Sequence, residues 1–110
     1  MQDGLRRVTE PTLDVLQALL DAAGYELHGW AITKQTQRSG PTVYKILERL
    51  ATAGWVIARW EELAADVSKP RRRLYRLTAE GAASAKELVM ARRPGLVDKL
   101  GLATDWMAFR

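Results

Sequence analysis

Cysteine is absent from this chain of 110 residues, which excludes disulfides and thiol chemistry. Histidine occurs once, as His28, with no set of acids or cysteines at metal-ligand spacing around it. Its expected use is a cap or hydrogen bond at the start of a helix, and no metal site is expected. Also missing are a nucleophile beside a base, paired carboxylates in an apolar setting and a glycine-rich phosphate loop, so neither catalysis nor a cofactor is expected. No apolar run approaches the roughly 20 residues of a membrane span. The opening M-Q-D-G-L-R-R is too polar for a secretory leader. A cytoplasmic protein with no membrane partner is the expectation.

What the chain does have is apolar content for one small core, at 47% hydrophobic residues, and a formal charge of +4. A core of this size is modest, and self-association would add to it. The charge is unevenly placed. K-P-R-R-R-L-Y-R, from Lys69 to Arg76, holds five basic residues and no acid, leaving 12 basic against 13 acidic residues elsewhere. All the excess positive charge lies in eight residues, which suits a polyanionic partner better than a uniformly basic surface would.

The stretch from Ser39 to Trp55 reads as a short helix with two faces. Val43, Ile46, Leu47 and Leu50 recur at helical spacing and require burial. Thr42, Lys45 and Arg49, flanked by Pro41, Tyr44 and Glu48, form the opposite, outward face. Ser39 is a suitable N-cap, Pro41 falls in the first turn where its missing N–H costs nothing, and Gly54 follows the apolar run as a stop. Before it, Val8 to Ala23 is a core helix capped by Thr9 or Thr12, with Leu13, Val15, Leu16, Leu19 and Leu20 on a wide apolar face and Gly24 ending it. A second helix is expected from His28 or Gly29 to Thr36. Ile32 would face its core, and Trp30 and Trp55 read most simply as core too. Gln37 and Arg38 make the turn. Helix, tight turn, helix is the arrangement that presents a recognition helix to a DNA groove.

After Gly54 the period changes. W-V-I-A-R-W-E (55–61) and R-R-R-L-Y-R-L (71–77) read as two strands of a hairpin, joined by a long loop, a wing. Strand alternation puts Arg71 and Arg73 on one face, Arg72 and Leu74 on the other. Thr78 then caps a fourth helix with Glu80 in its first turn, running to Pro94. Its positions Ala82, Ala85, Leu88 and Val89 suit close helix-to-helix contact. The tail beyond is rich in large apolar residues, Trp106 and Phe109 among them. The expected fold is mainly α with a small β-hairpin: a winged helix-turn-helix of three helices, a two-stranded wing and a C-terminal dimerisation helix. Residues 1–77 would form the DNA-binding domain and 78–110 the dimerisation helix and tail.

Three strings in this order are also similar to a known family. L-H-G-W-A-I at Leu27 to Ile32, P-T-V-Y-K-I-L-E-R-L-A-T-A-G-W at Pro41 to Trp55 and K-P-R-R-R-L-Y-R-L-T-A-E-G at Lys69 to Gly81 resemble segments of the PadR family of bacterial transcriptional regulators. The family's versions are L-H-G-Y-E-I, G-T-x-Y-P-x-L-x-R-L-E-x-x-G and R-P-R-K-Y-Y-x-L-T-x-x-G. The resemblance spans about 13–88. It implies a homodimeric repressor on double-stranded DNA, a recognition helix in each major groove, pairing through the fourth helix, and in some members a flat aromatic effector between subunits. Pro41 replaces the family's small residue and Lys45 its proline.

The residues expected at DNA are therefore Ser39, Pro41, Thr42, Tyr44, Lys45 and Arg49 on the recognition helix, with Lys69, Arg71, Arg72 and Arg73 along the flanking backbone. Two alternatives stand beside this. The Tyr44 ring packs on the wing instead, and Arg49 pairs with a nearby acid as scaffold. Ala82, Ala85, Leu88 and Val89 are the expected dimer contacts. Trp106 and Phe109 either cover the dimer seam or line a pocket for a small aromatic effector. A competing function is a winged-helix protein-interaction module without specific DNA binding, since the fold hosts both.

Overall fold

Thr9 opens the first helix, α1 (Glu10–Asp21), by accepting the backbone N–H of Thr12, and its hydroxyl also meets that of Thr12 at 3.1 Å. Thr9 is thus the cap and Thr12 its partner. Leu13, Val15, Leu16, Leu19 and Leu20 are buried along α1, as their spacing predicts. The computed structural model describes residues 7–62 and 72–95. The expected site residues Lys69, Arg71, Trp106 and Phe109 lie outside them.

After α1 a 3₁₀ turn (Ala23–Tyr25) takes two consecutive left-handed residues, Gly24 and Tyr25. It feeds a three-residue strand, β1 (Glu26–His28), then α2 (Gly29–Thr36) and α3 (Gly40–Thr52). Gln37, at φ 58°, caps α2 and makes the turn between them. Two further strands, β2 (Val56–Trp60) and β3 (Arg73–Leu77), pair antiparallel with Val56 opposite Leu77 and Trp60 opposite Arg73. The wing expected from the sequence is two-stranded. The sheet has a third strand, because β1 pairs with the other side of β3 and makes β3 central.

The last helix, α4 (Ala79–Arg92), starts at Thr78, whose hydroxyl accepts the N–H of Gly81 at 2.9 Å and donates to the Gly54 carbonyl at 2.9 Å. Gly81 lies directly on the backbone of Trp55: a Cβ there would stand 2.0 Å from the Trp55 carbonyl oxygen. The chain end of α3 and the first turn of α4 are in this way joined backbone to backbone.

One core unites these parts. Val43, Ile46, Leu47 and Leu50 of α3 enter it with Ile32, Trp55, Val56, Leu77 and the apolar face of α1, each large side chain contributing about 1.5–3 kcal/mol on burial. Two expectations are corrected here. Trp30 is not core but 59% exposed, because Gly29 and Ile32 occupy the inward side of α2 and residue 30 falls on the opposite one. Ala82, Ala85 and Val89 are no subunit contacts, because they are buried in the chain's own core, where α4 packs on α1. Only half-buried Leu88 of that set remains partly open. A polar tie reinforces the same contact: Arg93, capping α4, bonds Gln17, Glu10 and Asp14 Oδ1, and the other Asp14 oxygen, Oδ2, takes Arg38 from the turn before α3 at 2.9 Å. Among the described residues no helix is long and apolar enough to cross a membrane.

Candidate nucleic-acid interface

Ser39 accepts the N–H of Thr42 and donates its own hydroxyl to Thr42 Oγ1 at 3.0 Å, so both hydroxyls fix the start of α3. Pro41 occupies the first turn. From this start the helix buries its apolar stripe and leaves Pro41, Tyr44, Lys45, Glu48 and Arg49 exposed.

Tyr44 does two things. Its ring lies over Gly29 of α2, where a Cβ would meet the hydroxyl at 2.5 Å, and edge-on to Tyr75 of β3 at a centroid distance of 6.3 Å. The residue is still 43% exposed. Burial pushes the phenol above its ordinary pKa, and Tyr75 adds to this, so the hydroxyl keeps its proton and remains a donor. Packing on the wing strand, the alternative weighed from sequence, is therefore present, together with an open edge.

Lys45, one residue on, takes part in none of the ion pairs among the described residues. Arg49 is different, since its guanidinium donates to the carbonyl of Arg7 at 2.9 Å. The scaffold partner foreseen as an acid is a backbone oxygen.

Of the basic run expected at the backbone, Arg72 and Arg73 lie within the described residues, and they have different partners. Arg72 is held by Glu61 through two bonds of 3.2 and 3.1 Å. Chiefly this contact, with help from His28 Nε2 at 3.3 Å, holds the Glu61 carboxyl down to about 2. His28 caps α2 by position but makes no side-chain cap bond. Its ring goes to Glu61 instead. Arg73, on the other side of the strand, stacks over the Trp60 ring at 4.8 Å. Arg73 and Tyr75 are two positions apart in β3 and share its face, which is the face that Tyr44 meets. Arg59 is occupied by Glu26 at 2.9 and 3.1 Å, a pair that lowers the Glu26 pKa. The cations of α2, α3 and β3, Lys34, Lys45, Arg49, Arg73 and Arg76, are all without an ion pair among the described residues, and of these Arg49 is held by a backbone carbonyl.

Tyr75 and Lys34 are not among the site residues expected from the sequence. Tyr75 alternates with Arg73, and Lys34 follows Trp30 by one helical turn, so in both cases the spacing that groups them was present. Among the described residues no group of His, Asp or Glu is arranged to hold a metal ion.

The family profile described as "Transcriptional regulator PadR-like family" matches residues 15–87. The chain belongs to that family. This PadR-like chain shares its fold with a variant of Lactococcus lactis ZitR at 18% identity and TM-score 0.61, covering 91% of this chain and 63% of that one. Bacillus subtilis PadR in complex with operator DNA matches at 20% identity and TM-score 0.58, covering 72% and 46%. NadR in complex with 4-hydroxyphenylacetate matches at 25% identity and TM-score 0.57, covering 91% and 72%. The PadR-like chain spans less than two thirds of the length of ZitR and less than half of PadR. No protein of curated function matches it in sequence.

Proposed function

We propose that this PadR-like chain is a transcriptional repressor that binds double-stranded DNA as a homodimer, on a roughly palindromic operator with half-sites about one helical turn apart. The observation that carries the reading is the surface formed by α3 and β3: Tyr44 and Lys45 open on the helix, with Arg73 on the strand face that Tyr44 touches. α3 would enter the major groove, Lys45 reading base edges and Tyr44 donating to a phosphate, while Arg73 follows the flanking backbone. Lys69 and Arg71 extend the same basic run in sequence. Arg72 and Arg49, each held by a partner within the chain, act from the scaffold. A second subunit would cover the outward side of α4, where Met90 is 41% exposed. The aromatic effector belongs to the same reading: Trp106 and Phe109 follow α4 in sequence, and NadR is a complex with an aromatic acid.

The experiment is fluorescence anisotropy with the DNA upstream of the chain's own gene against a scrambled duplex of equal length, over a salt series. Preference for the upstream duplex that persists as salt rises is expected. Lys45→Ala is expected to weaken that binding by about 1–3 kcal/mol with circular dichroism unchanged, and Tyr44→Ala to weaken it as well. Undiminished affinity in both folded variants would overturn the assignment of this surface.

A further inference from the structure

Trp60, the last residue of β2, is 53% exposed although it is the largest apolar residue of its strand. The guanidinium of Arg73 lies over its ring, 4.8 Å from the centroid. A cation stacks on one face of a ring, which orients the indole and leaves its other face as the place where a second flat group can stack. Residues directly opposite in an antiparallel pair share a face of the sheet. The register therefore puts Val56, Ala58 and Trp60 on the same side as Leu77, Tyr75 and Arg73. Val56 and Leu77, at one end of that side, are buried in the core, whereas the Trp60 end is open.

Tyr75 is the partner of Ala58, two residues along the strands from the Trp60 and Arg73 pair. The two aromatic residues are thus seated in neighbouring rows roughly 6.8 Å apart along the strand direction, and Ala58 adds only a methyl group beside them. Tyr44 meets Tyr75 edge-on at 6.3 Å and is itself 43% exposed. None of the six strand residues on this side is acidic. Arg73, and Lys45 next to Tyr44 in sequence, have no ion pair among the described residues. An apolar partner would cover these cations without giving them an acceptor, at the cost of their hydration. A double helix supplies phosphates, but its bases are stacked on one another and offer no face to an indole. A single strand supplies both phosphates for the cations and base faces for the rings.

We infer that this face of β2 and β3 is a platform for single-stranded nucleic acid, in which one base stacks on the open face of the Trp60 indole, a neighbouring base lies against Tyr75, and Arg73 and Lys45 neutralise the adjoining phosphates. This is a second ligand beside the duplex proposed above, and it stands on Trp60 and Tyr75, which that reading does not use for contact. Every base has a π-face, so binding here is tolerant of sequence. Arg73 and Lys45 serve both ligands, so a single strand on the platform and a duplex on α3 exclude one another.

The test is anisotropy with two labelled strands of about 12 nucleotides, within the span of known single-strand sites: an oligothymidylate, and an abasic strand with the same phosphates and no bases. The wild-type chain is expected to bind the oligothymidylate about 10-fold tighter or more, the scale of one stacked base. Trp60→Ala is expected to lose about 10-fold on the oligothymidylate and nothing on the abasic strand, and Trp60→Phe, which restores a ring, to recover most of the loss. Circular dichroism checks the fold of both variants. If the wild-type chain binds the two strands equally, or a folded Trp60→Ala loses as much on one as on the other, the platform is overturned. Should the alanine variant not fold, the wild-type comparison decides alone. A chain that prefers the upstream duplex and treats both strands alike keeps the repressor reading and overturns this one. Trp60-dependent binding of the oligothymidylate with no duplex preference does the reverse.

Discussion

Glu61 stands at the root of the wing, where one carboxylate accepts both Arg72 and His28. Its pKa of about 2 lies below the ordinary 4.5. A depressed carboxyl favours the folded state wherever it is ionised in both states, so its contribution is complete above pH 4.5 and is lost as pH falls through 2. Glu61→Gln removes that contribution. The variant is expected to unfold at lower urea than the wild type near neutral pH, with the gap closing between pH 4.5 and pH 2. Urea midpoints at several pH values check this, and a gap that stays constant across the window would show that the ion pair does not titrate with folding. Such partners across strands are not readable from sequence: Glu61 and His28 are 33 positions apart, and nothing in local spacing brings them together. The basic run could be sorted by alternation, but only the partners show that Arg72 is engaged by Glu61 while Arg73 stacks over Trp60.

At the scale of elements, the helix junctions depend on two glycines whose surroundings differ. A Cβ on Gly81 would meet backbone, at 2.0 Å from the Trp55 oxygen and 2.7 Å from the Trp55 carbonyl carbon. A Cβ on Gly29 would meet the Tyr44 ring at 2.5–2.7 Å, and that ring has an open side toward which it can swing. Gly81→Ala is expected to cost about 3 kcal/mol or more, at the upper end for an overpacked site, whereas Gly29→Ala is expected to cost about 1 kcal/mol and to reduce DNA binding by displacing Tyr44. Chemical denaturation and anisotropy on both variants distinguish these outcomes; equal destabilisation would contradict the difference between backbone and side-chain neighbours. Three of the helices, α1, α3 and α4, were legible because each announces its start with Thr9, Ser39 or Thr78 and then keeps a helical apolar period. β1 was not, since three residues are too few to display alternation and its pairing partner is nearly 50 positions away. The small-residue stripe of α4 was read correctly as a packing surface but assigned to the wrong neighbour. Periodicity reports that a face is buried and is silent on whether the cover comes from the same chain.

For the whole molecule, the corrected role of α4 moves the expected subunit contact to its other side, with Met90 and the partly open Leu88. Met90→Glu places a charge there without touching Ala82, Ala85 or Val89. The expected result is a folded monomer by sedimentation equilibrium and weaker operator binding, since two linked half-sites act together. A dimer of undiminished stability would put the contact elsewhere. The general plan, a winged helix-turn-helix with one core, was available from caps, period and the three family-like strings. The open α2 surface was not, because exposure of a tryptophan is decided by which neighbours fill the core first.

Asp14 gives the molecule a property beyond stability. Each of its oxygens holds a different arginine, Arg93 at the end of α4 and Arg38 in the turn that leads into α3. The two helices are thereby geared through a single carboxylate: if the end of α4 is displaced, the entry to α3 must follow or one of the two contacts must open.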